Sequence, residues 1–491
     1  MSISERVRNM VRNWLRIQPA DVQGITIREA ASFETNCMRN RVWYRGDAAE
    51  IEQLFKALGS DAVSTARFWA AAPSTSDVRK AHSGVPGLMV NTLAYLVKSD
   101  LNKAEFESKE QLQLWEEIER DCGFAEVVGG AVSDVLALGD GAFKISFNKE
   151  VSKYPILEFW PADRVEYEMR HGRIVAVVFK TPYHLKNATY ELQEVYRTGS
   201  VTYHLYDGEK EIPLQRVAEL NDYKNVSYSG DFSLAIPLCV FKSQRYPGRG
   251  RSIFDNKTDA FDAHDEIISQ WIDAVRAGRV REYIPDEMIP RNPKTGELMS
   301  VDTFGSHYIR TASSNKENAV DKIDVTQPDI KYEAFLQSYT TTLDMCLQGI
   351  VSPATLGIDI GKMASADAQR EKKDVTGYTR NAITDALEKV LPEVVRSMLL
   401  AYDTYNSRSA DIYKPKITFG EYAAPDFNDR IETLGKASSA TLMSVETLVD
   451  ELWGASKEDD WKAQEVKRLK EMRGIEIMDE PSVGGELIDV E

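Results

Sequence analysis

The stretch from Ile330 to Asn406 constrains this chain more than any other. Phe335, Leu336, Tyr339, Leu343, Cys346, Leu347 and Ile350 recur at three- and four-residue steps, which puts them on one face of a helix over Lys331 to Ile350. Pro353, Gly357 and Gly361 then break the pattern and predict a loop over Ser352 to Met363, because proline lacks a donor and glycine relaxes the backbone. Beyond the loop the helical period runs for roughly forty residues, about 60 Å at 1.5 Å per residue. Val375, Tyr378, Ala382, Ile383, Ala386, Leu387, Val390, Leu391, Val394, Val395, Met398, Leu399 and Tyr402 mark its buried stripe. Globular helices average about 11–12 residues, so this one needs a neighbour along its whole length, in its own chain or in another copy. The apolar period continues past Pro392, which predicts one kinked helix. The alternative is a helix ending near Val390 and another opening with Pro392 in its first turn.

The preceding chain is mixed. Residues 3 to 16 read as an amphipathic helix, with Ile3, Val7, Met10, Val11, Trp14 and Leu15 on one side and Arg6, Arg8, Arg12 and Arg16 around the rest. It is expected to dock on the chain's own body or on a neighbouring copy, membrane-surface binding being the alternative. Asp47, with Glu50 three residues on, opens a second helix. A third spans about Gly87 to Lys98, and a fourth runs from Lys109 to Leu138. The period then falls to two over 142–147, 156–160, 164–169, 173–179, 192–197 and 201–206, which predicts an antiparallel meander closed by Pro237 to Phe241. His171-Gly172 and Asp207-Gly208 read as its tight turns.

Ser252 is placed as the N-cap of a helix reaching Ala277, with Asp255, Asp259, Asp262, Asp265 and Glu266 on its exposed faces. About fifty residues punctuated by prolines and glycines follow, with extended runs at Val280 to Ile284 and His307 to Thr311. They predict a small β-rich insert between two helices. Lys416 to Phe419 reads as a lone strand returning to the meander, and helices are expected over 428–438, 444–452 and 458–473 before an acidic, disordered end.

Chemistry is sparse. The six histidines are scattered, without metal-ligand spacing. His264-Asp265-Glu266 reads as an acidic helix face, and Gly248-Arg249-Gly250-Arg251 as a flexible entry to a helix, since it lacks the Gly-Lys-Ser/Thr of a phosphate loop. Cys37, Cys122, Cys239 and Cys346 lie far apart among apolar neighbours and are expected to be reduced core residues. No signal peptide and no apolar run of the ~20 residues that a bilayer span needs is present. No enzyme activity, cofactor or metal is expected. A net charge of -17 repels duplex DNA, so sequence-specific DNA binding is not expected, and it suits either simple solubility or a surface past which DNA slides.

The order of these parts resembles the tailed-bacteriophage portal protein, or head-tail connector, family. The resemblance rests on Gly250-Arg251-Ser252-Ile253-Phe254 opening the first stalk helix, Ser352-Pro353-Ala354-Thr355-Leu356-Gly357 after the second, and Ala364-Ser365-Ala366-Asp367-Ala368 opening the long helix. It implies an α+β fold: a wing (1–251), stem helices (252–278 and 331–351) flanking a small α/β clip (279–330), a tunnel loop (352–363), a long kinked wing helix (364–406), a wing strand (407–427) and a helical crown with an acidic tail (428–491). It further implies a homo-oligomeric ring, dodecameric in the virion, with the long helix braced by sister copies. Such a ring sits at a capsid vertex after assembly in the host cytoplasm and passes double-stranded DNA during packaging and ejection. Partners implied are the major capsid and scaffolding proteins, the terminase large subunit and head-completion or adaptor proteins, with no membrane. DNA-channel candidates are Leu356, Ile358, Ile360, Lys362 and Met363 in the loop, Lys362 as the chief positive charge, with Asp255, Asp259, Asp262, Asp265 and Glu266 lining the stem. The alternatives are another phage minor head or adaptor protein, or a DNA-packaging enzyme.

Overall fold

The computed structural model describes residues 32–58, 67–70, 79–185, 188–278, 281–285, 291–296, 307–311, 324–327, 329–358, 366–409, 411–420, 434–436, 438, 443–453 and 459–472. The described residues up to Phe419 form one compact unit and those from Gly420 another. The helix expected over 3–16 and the acidic last dozen residues lie outside the described residues. The whole is a mixture of helices and mostly antiparallel sheet.

The first unit opens with α1 (Phe33–Arg45), which the apolar period does not announce because its buried face is half polar: Asn36, Cys37, Asn40 and Trp43. Then α2 (Ala48–Leu58) begins at Asp47, whose carboxylate accepts from the Ala49 amide at 2.8 Å, while Glu50 pairs with Arg45 at 3.1 Å and does not close a capping box. After α3 (Val85–Ser99), the single helix expected over 109–138 is two, α4 (Lys109–Cys122) and α5 (Phe124–Leu138). Gly123 between them adopts φ +60°, a left-handed conformation that ends one helix and starts the next.

The expected single meander is two sheets. In the first, β1 (Asp140–Ser146) lies between β2 (Ile156–Pro161) and β9 (Ala235–Cys239), so that Phe143 faces Phe159 on one side and Ile236 on the other. Pro237 is tolerated in β9 because that strand is an edge. The second sheet is the meander β3 (Val165–Arg170), β4 (Arg173–Leu185), β5 (Ala188–Arg197), β6 (Ser200–Asp207) and β7 (Lys210–Ile212), with β8 (Val226–Ser227) also on β6. His171 and Gly172 both take positive φ at the β3–β4 turn, as the expected tight hairpin requires. Ala142 and Ala235 of the first sheet pack with Val177, Phe179, Tyr196 and Val201 of the second. Among them Lys144 Nζ, from β1, donates to Glu194 Oε1 of β5 at 2.7 Å, with both groups buried and the ammonium 4.8 Å from the Trp160 ring.

Two helices follow, α6 (Thr258–Ala277) and α7 (Tyr332–Leu347), joined by residues that include the small sheet β10 (Arg281–Pro285), β11 (His307–Thr311) and β12 (Asp324–Thr326). The strand β10 is central, parallel to β11 and antiparallel to β12. After α7 comes a tight 3-10 turn, Pro353–Leu356, and then α8 (Ala366–Tyr405), forty residues without interruption at Pro392. The one-helix reading of this segment is therefore the right one.

Of the two neighbours expected for α8, its own chain covers the C-terminal half. Ile383, Leu387, Leu391, Val394, Val395, Met398 and Leu399 are fully buried in the same core as Val128, Val132 and Val135 of α5. Over this length the helix is supported by its own chain. Tyr378, placed on the buried stripe, is 74% exposed. The line of burial passes instead through Thr376, Thr379, Arg380 and Thr384. Their polar groups are satisfied: the Ser352 amide donates to Thr376 Oγ1 at 2.9 Å, and Arg380 pairs with Asp100 at 2.8 Å. The strand at 416–419 does not join the meander either, but bridges Leu101 and Glu105 just after α3.

In the second unit, α9 (Val445–Trp453) starts at Ser444, whose hydroxyl accepts from the Thr447 amide, as expected, and α10 (Asp459–Met472) is tied to it by Lys462–Asp450 and Lys470–Glu446 pairs.

Candidate functional site

The parts singled out for function converge on α6, α7 and the turn after them. Indole and phenyl rings join the helices: Trp271 stacks on Phe335 with centroids 6.1 Å apart, and His264 Nδ1 lies 2.9 Å from Thr342 Oγ1. Lys257, just before α6, donates to the carbonyls of Met345 and Gln348 at 2.8 and 2.9 Å. These are orphan acceptors at the C-terminus of α7, where a cation also favours the helix dipole.

Only part of the acidic face of α6 meets solvent. Asp259 is exposed and pairs with Arg67, Glu266 is half-buried, and Asp255 accepts from Asn36 and Asn40 at 3.1 and 3.2 Å. Asp262 and Asp265 are buried, contrary to expectation. Asp262 accepts the amides of Phe68 and Trp69, while Asp265 accepts Trp69 Nε1, His82 Nδ1 and the Ser83 amide, at distances from 2.7 to 3.0 Å. These carboxylates sew the chain around 67–69 and 81–83 onto α6, a role for which an acidic helix position gives no sign. Burial pushes the Asp262 carboxyl up despite its two amide donors, and pushes the His264 imidazole down.

The Gly248–Arg251 run is likewise built, not flexible. Arg249 grips Asp140 bidentately at 2.8 and 3.0 Å and also donates to the carbonyls of Val165 and Ala162. Asp140 is 0% exposed and additionally accepts the Gly250 amide at 2.6 Å. A Cβ on Gly250 would stand 2.1 Å from the Gly139 carbonyl oxygen, so only glycine lets these two backbones meet. The helix it leads into begins later than expected: Ser252 does not cap it but donates to the carbonyls of Leu136 and Ala137, and α6 starts at Thr258.

Of the loop candidates, Leu356 ends the 3-10 turn and Ile358 follows it, both half-buried against the main core. Ser352, Thr355 and Thr376 share hydroxyl bonds of 2.9–3.0 Å that fix this turn on α8. Ile360, Lys362 and Met363 lie outside the described residues. Of the cysteines, Cys37 and Cys346 are core residues, but Cys122 is half-buried and Cys239 exposed; all four are free thiols. Among the described residues no group of His, Cys, Asp and Glu is placed to hold a metal, and no helix is long and apolar enough to cross a membrane.

Over residues 168–477 the sequence matches the family described as phage portal protein, SPP1 Gp6-like. The chain belongs to the phage portal protein family. That match runs from the meander through both stalk helices and the long helix into the second unit. Among solved structures, the chain is similar to one from the virion of a native gene transfer agent particle, at 13% identity and a TM-score of 0.38, covering 90% of this chain and 96% of that one. It is also similar to one from the neck of the native particle computed with C12 symmetry, at 13% identity and 0.38, covering 74% and 89%. A third is from the neck of the empty particle computed with C6 symmetry, at 12% identity and 0.37, covering 79% and 98%. No curated protein sequence matches the chain. The portal family is structural.

Proposed function

We propose that this chain is one subunit of a closed portal ring, dodecameric in the virion, at a single capsid vertex. Its channel admits double-stranded DNA during packaging, with the terminase large subunit docked on the ring, and releases it at ejection through head-completion or adaptor proteins. The observation that carries this reading is the family match over 168–477. In that ring residues 1–251, 364–406 and 407–427 make the wing, 252–278 and 331–351 the stem, 279–330 the clip, 352–363 the tunnel loop and 428–491 the crown. The stem acids that keep access to solvent, exposed Asp259 and half-buried Glu266, face the channel and repel DNA phosphates at short range, so that the duplex slides. Lys362 is the loop's positive charge toward the passing backbone. The major capsid and scaffolding proteins hold the ring in the shell.

Negative-stain microscopy and native mass measurement on the purified chain test the reading. A large ring with an axial hole is expected, and a compact monomer at native concentration refutes it. Lys362→Glu is expected to change packaged genome length or head stability; unchanged values remove the role given to Lys362.

A further inference from the structure

Three cations face one open cleft in a chain whose net charge is -17. The cleft, about 760 Å³, is lined by Lys242, Arg245 and Arg251 together with Phe241, Gln244 and Asp255. All three cations are exposed, and among the described residues none has a carboxylate partner. Asp255, the one acid in the lining, is already engaged by Asn36 and Asn40. Arg251 lies over the Phe241 ring at 5.4 Å, a cation–π contact that favours this placement of its guanidinium.

The cations stand on a stiff support. The Arg251 amide donates to Phe241 O at 2.7 Å, the Ser243 amide to Arg249 O at 3.0 Å and the Arg249 amide to Tyr246 O at 3.1 Å. Arg249, in the same hairpin, is clamped on buried Asp140. Holding like charges together in advance is unfavourable by itself, and a rigid array of this kind lowers the ordering cost of an anion that bridges them. Two guanidinium forks and an ammonium match the oxygens of phosphate groups better than the single charge of a lone carboxylate does.

We propose that this cleft binds phosphate groups, and that the phosphates are those of a duplex DNA backbone, held without sequence preference. The proposal rests on the portal reading for the identity of the polyanion, but not for the site itself, which lies within one chain. It gives an acidic subunit a place that grips DNA instead of letting it slide.

The test is the salt dependence of binding to a fluorescein-labelled duplex, followed by anisotropy on the full-length protein. Each phosphate neutralised contributes about 0.9 to the slope of log affinity against log salt. Lys242→Gln, Arg245→Gln and Arg251→Gln together are expected to reduce that slope by roughly 2.7, so that a rise from 50 to 200 mM salt weakens the triple variant about 40-fold less than the parent. A control that removes three charges elsewhere, at the exposed Arg170, Arg173 and Lys210, is expected to leave the slope alone. Each single variant should lower it by about 0.9, which keeps the test alive if the triple variant does not fold. An unchanged slope, or the same change in the control, overturns the proposal. Calorimetry with inorganic phosphate and with a polyglutamate peptide separates the sources: saturable phosphate binding lost in the triple variant without any duplex effect, or a peptide bound more tightly than the duplex, overturns the assignment to DNA. Native mass of the parent reports the ring independently, so a monomer that still shows the slope change refutes the portal ring and leaves the cleft standing.

Discussion

Replacing Arg249 by methionine keeps much of the buried stem and removes the charge, leaving Asp140 as an unpaired carboxylate at 0% exposure. Two ionic hydrogen bonds vanish and the carbonyls of Val165 and Ala162 lose their donor. Breaking one side of a buried ion pair costs about 3–5 kcal/mol, chiefly the penalty of the stranded partner. A chain of 491 residues in two units is not a two-state system, so a local probe is needed. Cys37 supplies it. Its thiol is fully buried, donates to the Leu138 carbonyl and is pushed up to about 12 by burial, so it reacts only when this region opens. Thiol labelling of the native protein, read peptide by peptide in a mass spectrometer, then gives the local opening constant. At 1.4 kcal/mol per factor of ten, the labelling rate at Cys37 is expected to rise by about two to four orders of magnitude in Arg249→Met. Asp140→Asn strands the Arg249 guanidinium instead, but that side chain keeps 15% exposure against 1% for the Asp140 side chain, so it should cost less, and the double variant should fall well short of the sum. A rise below tenfold at Cys37, or strict additivity in the cycle, would show that the pair contributes nothing beyond packing.

Gly250→Ala drives a methyl group into the Gly139 carbonyl and is expected to destabilise by about 1–3 kcal/mol, visible as a lower thermal midpoint than that of Gly130→Ala, whose Cβ meets open space on a helix. Asp265→Asn turns one acceptor oxygen into a donor that faces either the Trp69–His82 pair or the Ser83 amide; a loss of about 1.5–3 kcal/mol is expected, with faster amide exchange over residues 81–84 and a red shift of tryptophan emission. His264 is held below its ordinary value of 6.5 by burial, so on acidification the unfolded chain takes up its proton first. Stability from this residue is thus present above pH 6.5 and is lost as pH falls toward the lower folded value; His264→Gln should flatten that part of the pH profile, and an unaltered profile would rule the residue out as its source. Pro392→Ala restores a backbone donor inside an unbroken helix and is expected to raise the midpoint; a fall would mean that the ring at this position packs usefully.

The long helix was legible because apolar residues at helical spacing outweighed one proline, and the turn residues at 171–172 and 207–208 announced hairpins through backbone demands that only a few side chains meet. Much of what escaped reading turns on partners remote in sequence, several of them backbone groups. Asp262 and Asp265 look like a solvated face because the amides they receive, at 68, 69 and 83, carry no side-chain signature. Arg249 looks like part of a glycine-rich linker because Asp140 stands over a hundred residues away. The split of the sheets turns on β9 returning to β1, and alternation within a strand says which face is buried but not which neighbour it joins. On α8 the threonines 376, 379 and 384 hid the true stripe, since hydroxyls that find partners can replace aliphatic groups in a packed seam.

The Lys144–Glu194 pair ties the two sheets across a dry gap between β1 and β5. Parting the sheets by less than a water's width would separate the two charges before solvent could reach either, so the joint resists small displacements. Whatever load reaches the broad meander from outside is thereby handed to the helical core as to a hinge that has been welded shut.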